Sequence, residues 1–181
     1  MDALDLEILR RGHKALTPAL GGMLAESASM CLHANRKSNP VSLNVEGLDP
    51  PNMQLHWVPV TEQMFAAYGD EQENIENGAC GVAIALVNSF SKYSVVQRNR
   101  KVGGFDYYLR KDADSKQLFD ARLEVSGILK DPSASKVKIN ARVRQKQNQT
   151  KQSDELHGMP SVVVIVEFGR PTAVVNEEAR C

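Results

Sequence analysis

What this sequence lacks most plainly is a charge of one sign. Its 22 lysines and arginines balance 22 aspartates and glutamates. The molecule as a whole therefore does not attract polyanions, and any nucleic-acid site has to be a local basic patch. No run of about 18 apolar residues occurs, so no transmembrane helix and no membrane partner are expected. The N-terminus opens on Asp2, Asp5 and Glu7 and lacks the basic-then-apolar order of a signal peptide. Cysteine is scarce: Cys31, Cys80 and Cys181 are odd in number and far apart. They form neither a disulfide framework nor a metal-ligand pair, which points to a reducing cytoplasm. His13, His33, His56 and His157 are equally scattered, which argues against zinc. There is no internal repeat, no Gly-x-Ser-x-Gly elbow and no phosphate-loop signature.

What is present is enough for a sizeable core. A chain of 181 residues with 42% hydrophobic content suits one domain. Residues 3–33 read as helix, from the spacing of Leu4, Ile8 and Leu9 and then of Leu16, Leu20 and Leu24, with Thr17-Pro18 separating two helices. Val41–Val45 alternates as a strand, Asp49-Pro50-Pro51-Asn52 is a turn, and residues 55–60 are extended chain or an edge strand. Thr61 caps a helix to about Tyr68. A longer helix spans Glu71–Phe90; from Ala79 to Val87 it is apolar nearly all round and so is buried. Gly78 and Gly81 on it leave room for another backbone to approach.

The second half of the chain is strand-rich. Residues 93–97 lead through Arg98, Arg100 and Lys101 into Gly103-Gly104 and a strand holding Asp106. Residues 119–129 alternate, with Ala121, Leu123 and Val125 on one face and Arg122, Glu124 and Ser126 on the other. Asp131-Pro132 starts a helix expected to run to about Gln149, although Val137, Ile139, Ala141 and Val143 also alternate like a strand. On the helical reading Lys138, Arg142, Gln145 and Gln149 share a polar face. Residues 161–168 form the strongest strand, apolar enough to be covered on both faces. Residues 172–175 add a little more strand.

A carboxylate among apolar strand neighbours is costly unless it is paired or bound to a cation. Asp106 and Glu124 are two such groups on adjacent strands, and a shared site for a divalent metal is the hypothesis they support. The competing readings are an Asp106 satisfied by backbone amides and a Glu124 paired with Arg122 or another arginine. Glu76, one turn before Cys80, projects from the start of the buried helix as a third acid or serves as a cap or surface group.

From residue 71 to residue 168 the order helix, strand, strand, strand, helix, strand resembles the restriction-endonuclease-like, or PD-(D/E)XK, nuclease superfamily. Gly104-Phe105-Asp106 is similar to that family's glycine-hydrophobic-aspartate turn. Leu123-Glu124-Val125-Ser126 resembles its hydrophobic-acid-x-lysine strand. Glu76 and Gln145 sit where some members carry active-site residues. The resemblance implies an α/β fold with an αβββαβ core, a mixed central sheet flanked by helices, and an N-terminal helical extension over residues 1–60. It implies Mg²⁺ or Mn²⁺ held by Asp106, Glu124 and the Val125 carbonyl, and hydrolysis of phosphodiester bonds in nucleic acid, DNA foremost. Arg98, Arg100, Lys101, Arg142, Arg144 and Lys146 would then hold the phosphate backbone. A homodimer is a further implication, since these folds often pair to cut two strands. Ser126 stands where the family has lysine, so a cation has to arrive from elsewhere: Arg122, Lys138, Arg142 or Lys146. Without one, the alternative is a catalytically degenerate nuclease fold that binds nucleic acid or a protein partner.

Overall fold

The structure, a computed structural model, describes residues 2–100, 104–111, 116–130, 140–146 and 159–178. Its frame is a mixed eight-stranded sheet. The strands are β1 (Ala3–Asp5), β2 (Val41–Glu46), β3 (Asn52–His56), β4 (Ser94–Arg98), β5 (Tyr107–Arg110), β6 (Ala121–Ile128), β7 (Ser161–Glu167) and β8 (Thr172–Glu178). Across the sheet they run β1-β3-β2-β8-β7-β6-β5-β4. Pairs β1·β3, β2·β8 and β6·β7 are parallel and the others antiparallel. The helices are α1 (Pro18–Ala34), α2 (Glu62–Ala67) and α3 (Glu71–Phe90), with a further helical segment, α4, over residues 140–146. No helix among the described residues is long and apolar enough to cross a membrane.

Local chemistry sets the helix ends. Asp70 caps α3 by accepting the Glu73 N–H at 3.0 Å, and Glu71 and Glu73 in the first turn suit the positive end of the helix dipole. Thr61 caps α2 through the Met64 N–H. Thr17 caps α1 through the Leu20 N–H, with Pro18 opening the helix. The glycines of α3 do what their missing side chains permit. A Cβ on Gly78 would lie 2.8 Å from the Ala28 backbone, and one on Gly81 would lie 2.9 Å from the Leu24 carbonyl oxygen, so α1 is the backbone that packs close.

The main core joins α1, α3 and the sheet residues Leu123, Val125, Val162, Val164 and Val166. On the opposite face Val143 of α4 packs on Val163 and Ile165. All seven residues of β7 are buried, as its unbroken apolar run predicts for a strand covered on both sides.

The N-terminal region departs from expectation. Residues 3–5 are a strand and Leu6–Arg11 a 3-10 helix, so the expected helix begins only at Pro18. The stretch Leu4, Leu6 and Leu9 is apolar because it is buried, and β1 is stabilised by pairing with β3, a contact local periodicity does not encode. The strand expected over 55–60 starts and ends earlier, at 52–56, which leaves Pro59 outside it. β8 runs three residues past the expected 172–175 and pairs along the whole of β7. Of the helix expected over 132–149, residues 140–146 are helical; the remainder lies outside the described residues.

Candidate active site

β5 lies beside β6 only from Ala121 to Leu123, whereas on its other edge β6 stays paired with β7 as far as Ile128. From Glu124 onward one edge of β6 is therefore without a strand partner among the described residues. The backbone N–H groups along that edge need acceptors. Asp106, immediately before β5, meets the first of them: its Oδ2 accepts the Val125 N–H at 2.8 Å. The main chain of Asp106 is tied down as well, donating to the Leu123 carbonyl at 2.9 Å and accepting the Asn99 N–H at 2.7 Å. Gly127 lets α3 approach the same notch; a Cβ there would fall 2.5 Å from the Ile75 carbonyl oxygen.

The notch opens into a cavity of about 310 Å³. Gln72, Glu76 and Cys80 line it from α3, at successive four-residue steps along one helix face. Asp106 and residues 124–127 line it from the strands, and Arg142 and Lys146 line it from α4. Glu124 is 3% exposed. Lys146 Nζ donates to Glu124 Oε1 at 2.6 Å. Arg142 Nε donates to Ser126 Oγ at 3.0 Å. Gln72 Nε2 donates to Glu76 Oε1 at 2.8 Å.

The electrostatics are those of two acids crowded together. Burial, then the charge of Asp106, pushes the Glu124 carboxyl up to about 7, against the opposing pull of Lys146. Burial also raises Asp106, opposed by the Val125 N–H and by the charges of Lys146 and Arg98. The two carboxyl groups interact with one another, so their titrations are linked and burial disfavours full ionisation of the pair. The half-buried thiol of Cys80, beside them, is pushed well up by burial and by the carboxylates, which keeps it a neutral, unreactive wall of the cavity.

The structure thus brings Asp106, Glu124, Glu76, Val125, Arg142 and Lys146 to one place. Arg98 lies near enough to act on Asp106 through its charge, and Arg100 is exposed just beyond β4. Lys101 and Lys138 lie outside the described residues. Gln145 and Arg144 are exposed, and neither lines the cavity. Arg122 does not reach it: fully buried, its guanidinium lies 5.5 Å from the Phe105 ring centroid and donates to the Met159 carbonyl at 2.9 Å. Tyr107 is core, while Tyr108 stacks on Phe119 with centroids 4.0 Å apart. The competing reading pairs Glu124 with an arginine; its partner is Lys146, one of the cations expected to reach the site from α4. Gln72 and the cavity-facing position of Cys80 were not foreseen, although the i, i+4, i+8 spacing with Glu76 carries that signal.

The donor set suits a hard divalent cation such as Mg²⁺ or Mn²⁺. Magnesium takes one or two carboxylates and keeps several waters, and an open cavity has room for them. Asp106 and Glu124 would hold it, with the Val125 carbonyl beside them. Among the described residues no group of three histidine, cysteine or acidic side chains converges tightly enough to hold a metal, so water or substrate oxygens would supply the remainder. Comparison with protein-family models, with curated proteins and with solved structures finds no match to this chain.

Proposed function

We propose that this protein is a metal-dependent nuclease, or a close derivative of one, with a restriction-endonuclease-like core and DNA as its first-choice substrate. The observation that carries this reading is the convergence of Asp106, Glu124 and Glu76 with Arg142 and Lys146 around one open cavity. The element order α3-β4-β5-β6-α4-β7 supports the resemblance that the Gly104-Phe105-Asp106 and Leu123-Glu124-Val125-Ser126 segments carry. A Mg²⁺ or Mn²⁺ ion, when bound, supplies a water of lowered pKa and neutralises charge on the transferring phosphoryl group.

The chain's own residues do the rest. Asp106, just before β5, and Glu124, on the adjacent β6, present acceptor oxygens to the same space. Arg142 offers a guanidinium fork suited to phosphate oxygens, held in place by Ser126. Lys146 brings a compact positive charge to the position that Ser126 leaves without one. Glu76, steadied by Gln72, faces the same space and can accept a hydrogen bond from a water there. Arg98 and Arg100, and Arg144 on the exposed side of α4, would contact the phosphate backbone. A cytoplasmic location and a homodimeric state complete the reading.

A second reading, a nucleic-acid- or protein-binding module without catalysis, is favoured by one specific observation: the Lys146–Glu124 ion pair already neutralises one of the two acids. Incubation with single- and double-stranded DNA and with RNA, in Mg²⁺, Mn²⁺ or EDTA, separates the two. Metal-dependent cutting that is lost in Asp106→Ala with Glu124→Ala is the expected result. Binding without cutting would leave the module as the better account.

A further inference from the structure

A cation site is ordinarily open to its cation, but this one is occupied by the protein itself. Lys146 Nζ lies 2.6 Å from Glu124 Oε1, within the same cavity that Asp106 and Ser126 line. Glu124 is all but inaccessible, whereas the Lys146 side chain is 22% exposed. The carboxylate is therefore the fixed member of the pair, and the lysine, entering from solvent on a flexible stem, is the member able to leave. Its charge also acts on Asp106, so a single ammonium group faces both acids. One helical turn earlier on α4, Arg142 is anchored separately, on the uncharged Ser126 hydroxyl.

Resting on the nuclease reading, we propose that Lys146 is a built-in competitor for the cation site: a divalent ion binds by displacing its ammonium group from Glu124, and the displaced group then faces incoming phosphate. No bond is made or broken in the exchange; one cation replaces another at a carboxylate oxygen. Two effects oppose the incoming ion while Lys146 stays, namely loss of the ion pair and repulsion between like charges. Both vanish when the ammonium group is removed. Arg142 keeps its hold on Ser126 throughout, so α4 remains docked while its C-terminal end changes partners. The arrangement makes the two positive charges successive occupants of one site and couples loading of the metal to presentation of the lysine.

The test uses the full chain, at pH 8.5, with Ca²⁺ and Mn²⁺ alone as probes and without substrate. Isothermal titration of Lys146→Met is expected to give cation binding tighter than wild type by about tenfold. Lys146→Arg, which keeps the charge, is expected to stay near the wild-type affinity. In the wild type, acylation of lysines read by mass spectrometry should show Lys146 labelled faster once Ca²⁺ is added, which requires no variant to fold. Equal or weaker affinity in a folded Lys146→Met, or labelling that does not rise with Ca²⁺, would overturn the competition and leave the nuclease reading intact. No binding of either ion to wild type or variant would overturn both.

Discussion

Glu124→Gln is the substitution whose effect the structure fixes most closely, and its sign is unusual for the loss of a charged residue with an ion-pair partner. The carboxyl titrates at about 7 in the folded protein against an ordinary 4.5. A raised folded value means that the native state holds the proton more tightly than the unfolded chain. The stabilising contribution is then fully present below about pH 4.5, falls as pH rises through the folded value, and is gone above it. A gap of this size corresponds to about 3 kcal/mol. Glutamine mimics the protonated acid: it is neutral, and its Oε1 still accepts from Lys146. Glu124→Gln should therefore match wild type in urea unfolding with EDTA at pH 4.5. At pH 8 it should exceed wild type by up to about 3 kcal/mol, a rise in Tm of about 6 to 10 °C. Mg²⁺ should narrow the gap by stabilising only the wild type. A difference between the two proteins that does not change with pH, or a variant less stable than wild type at pH 8, would refute the claim that burial and Asp106 outweigh Lys146 at this carboxylate.

Three further outcomes follow from the same geometry. Asp106→Ala removes the acceptor of the Val125 N–H and should cost about 1 to 3 kcal/mol, whereas Asp106→Asn keeps an oxygen there and should cost less; chemical denaturation distinguishes them, and both should lose the Mg²⁺-induced rise in Tm. Gly127→Ala forces a Cβ to within 2.5 Å of the Ile75 carbonyl, so it should lower stability by about 2 kcal/mol or more and weaken cation binding by moving α3 away from the notch. If Arg142 contacts phosphate, Arg142→Ala should lower affinity for DNA in EDTA and flatten the dependence of log K on log salt by about one unit, measured by fluorescence anisotropy.

Some of this site was legible from residues alone because the signals were local. Asp70 followed by two acids and a long apolar stretch specifies where α3 begins and that it is buried. The lone acids Asp106 and Glu124, each among apolar neighbours, announce a cost that something must offset, although Asp106 stands just ahead of β5 and not in the strand the sequence suggests. The basic side of the cavity was harder to read. Whether Gln145 or Lys146 faces the acids depends on the rotation of α4 about its axis. That rotation is fixed by Val143 settling on Val163 and Ile165, a contact made across the sheet. The N-terminal leucines posed a similar problem: Leu4 and Leu9 are spaced acceptably for a helix, yet the pairing of Ala3–Asp5 with Gln54–His56, some fifty residues away, decides the outcome. Nothing in positions 3–11 themselves carries that pairing.

The two outer strands also bear on how copies of this chain can meet. A sheet with free edges is a template for its own extension, and a flat edge invites a second molecule to continue it. Here one edge is β1, three residues long and ending in Asp5. The other is β4, whose pairing with β5 shifts register between Val95 and Gln97 and which ends on a cationic residue, Arg98. To add a strand to β4, a neighbour would have to follow the irregularity or straighten it. Both edges thus discourage a continuous intermolecular sheet and protect the chain against aggregation through its own architecture. Were copies of this chain to pair, as the proposed function expects, helices or loops are the surfaces these edges leave for it.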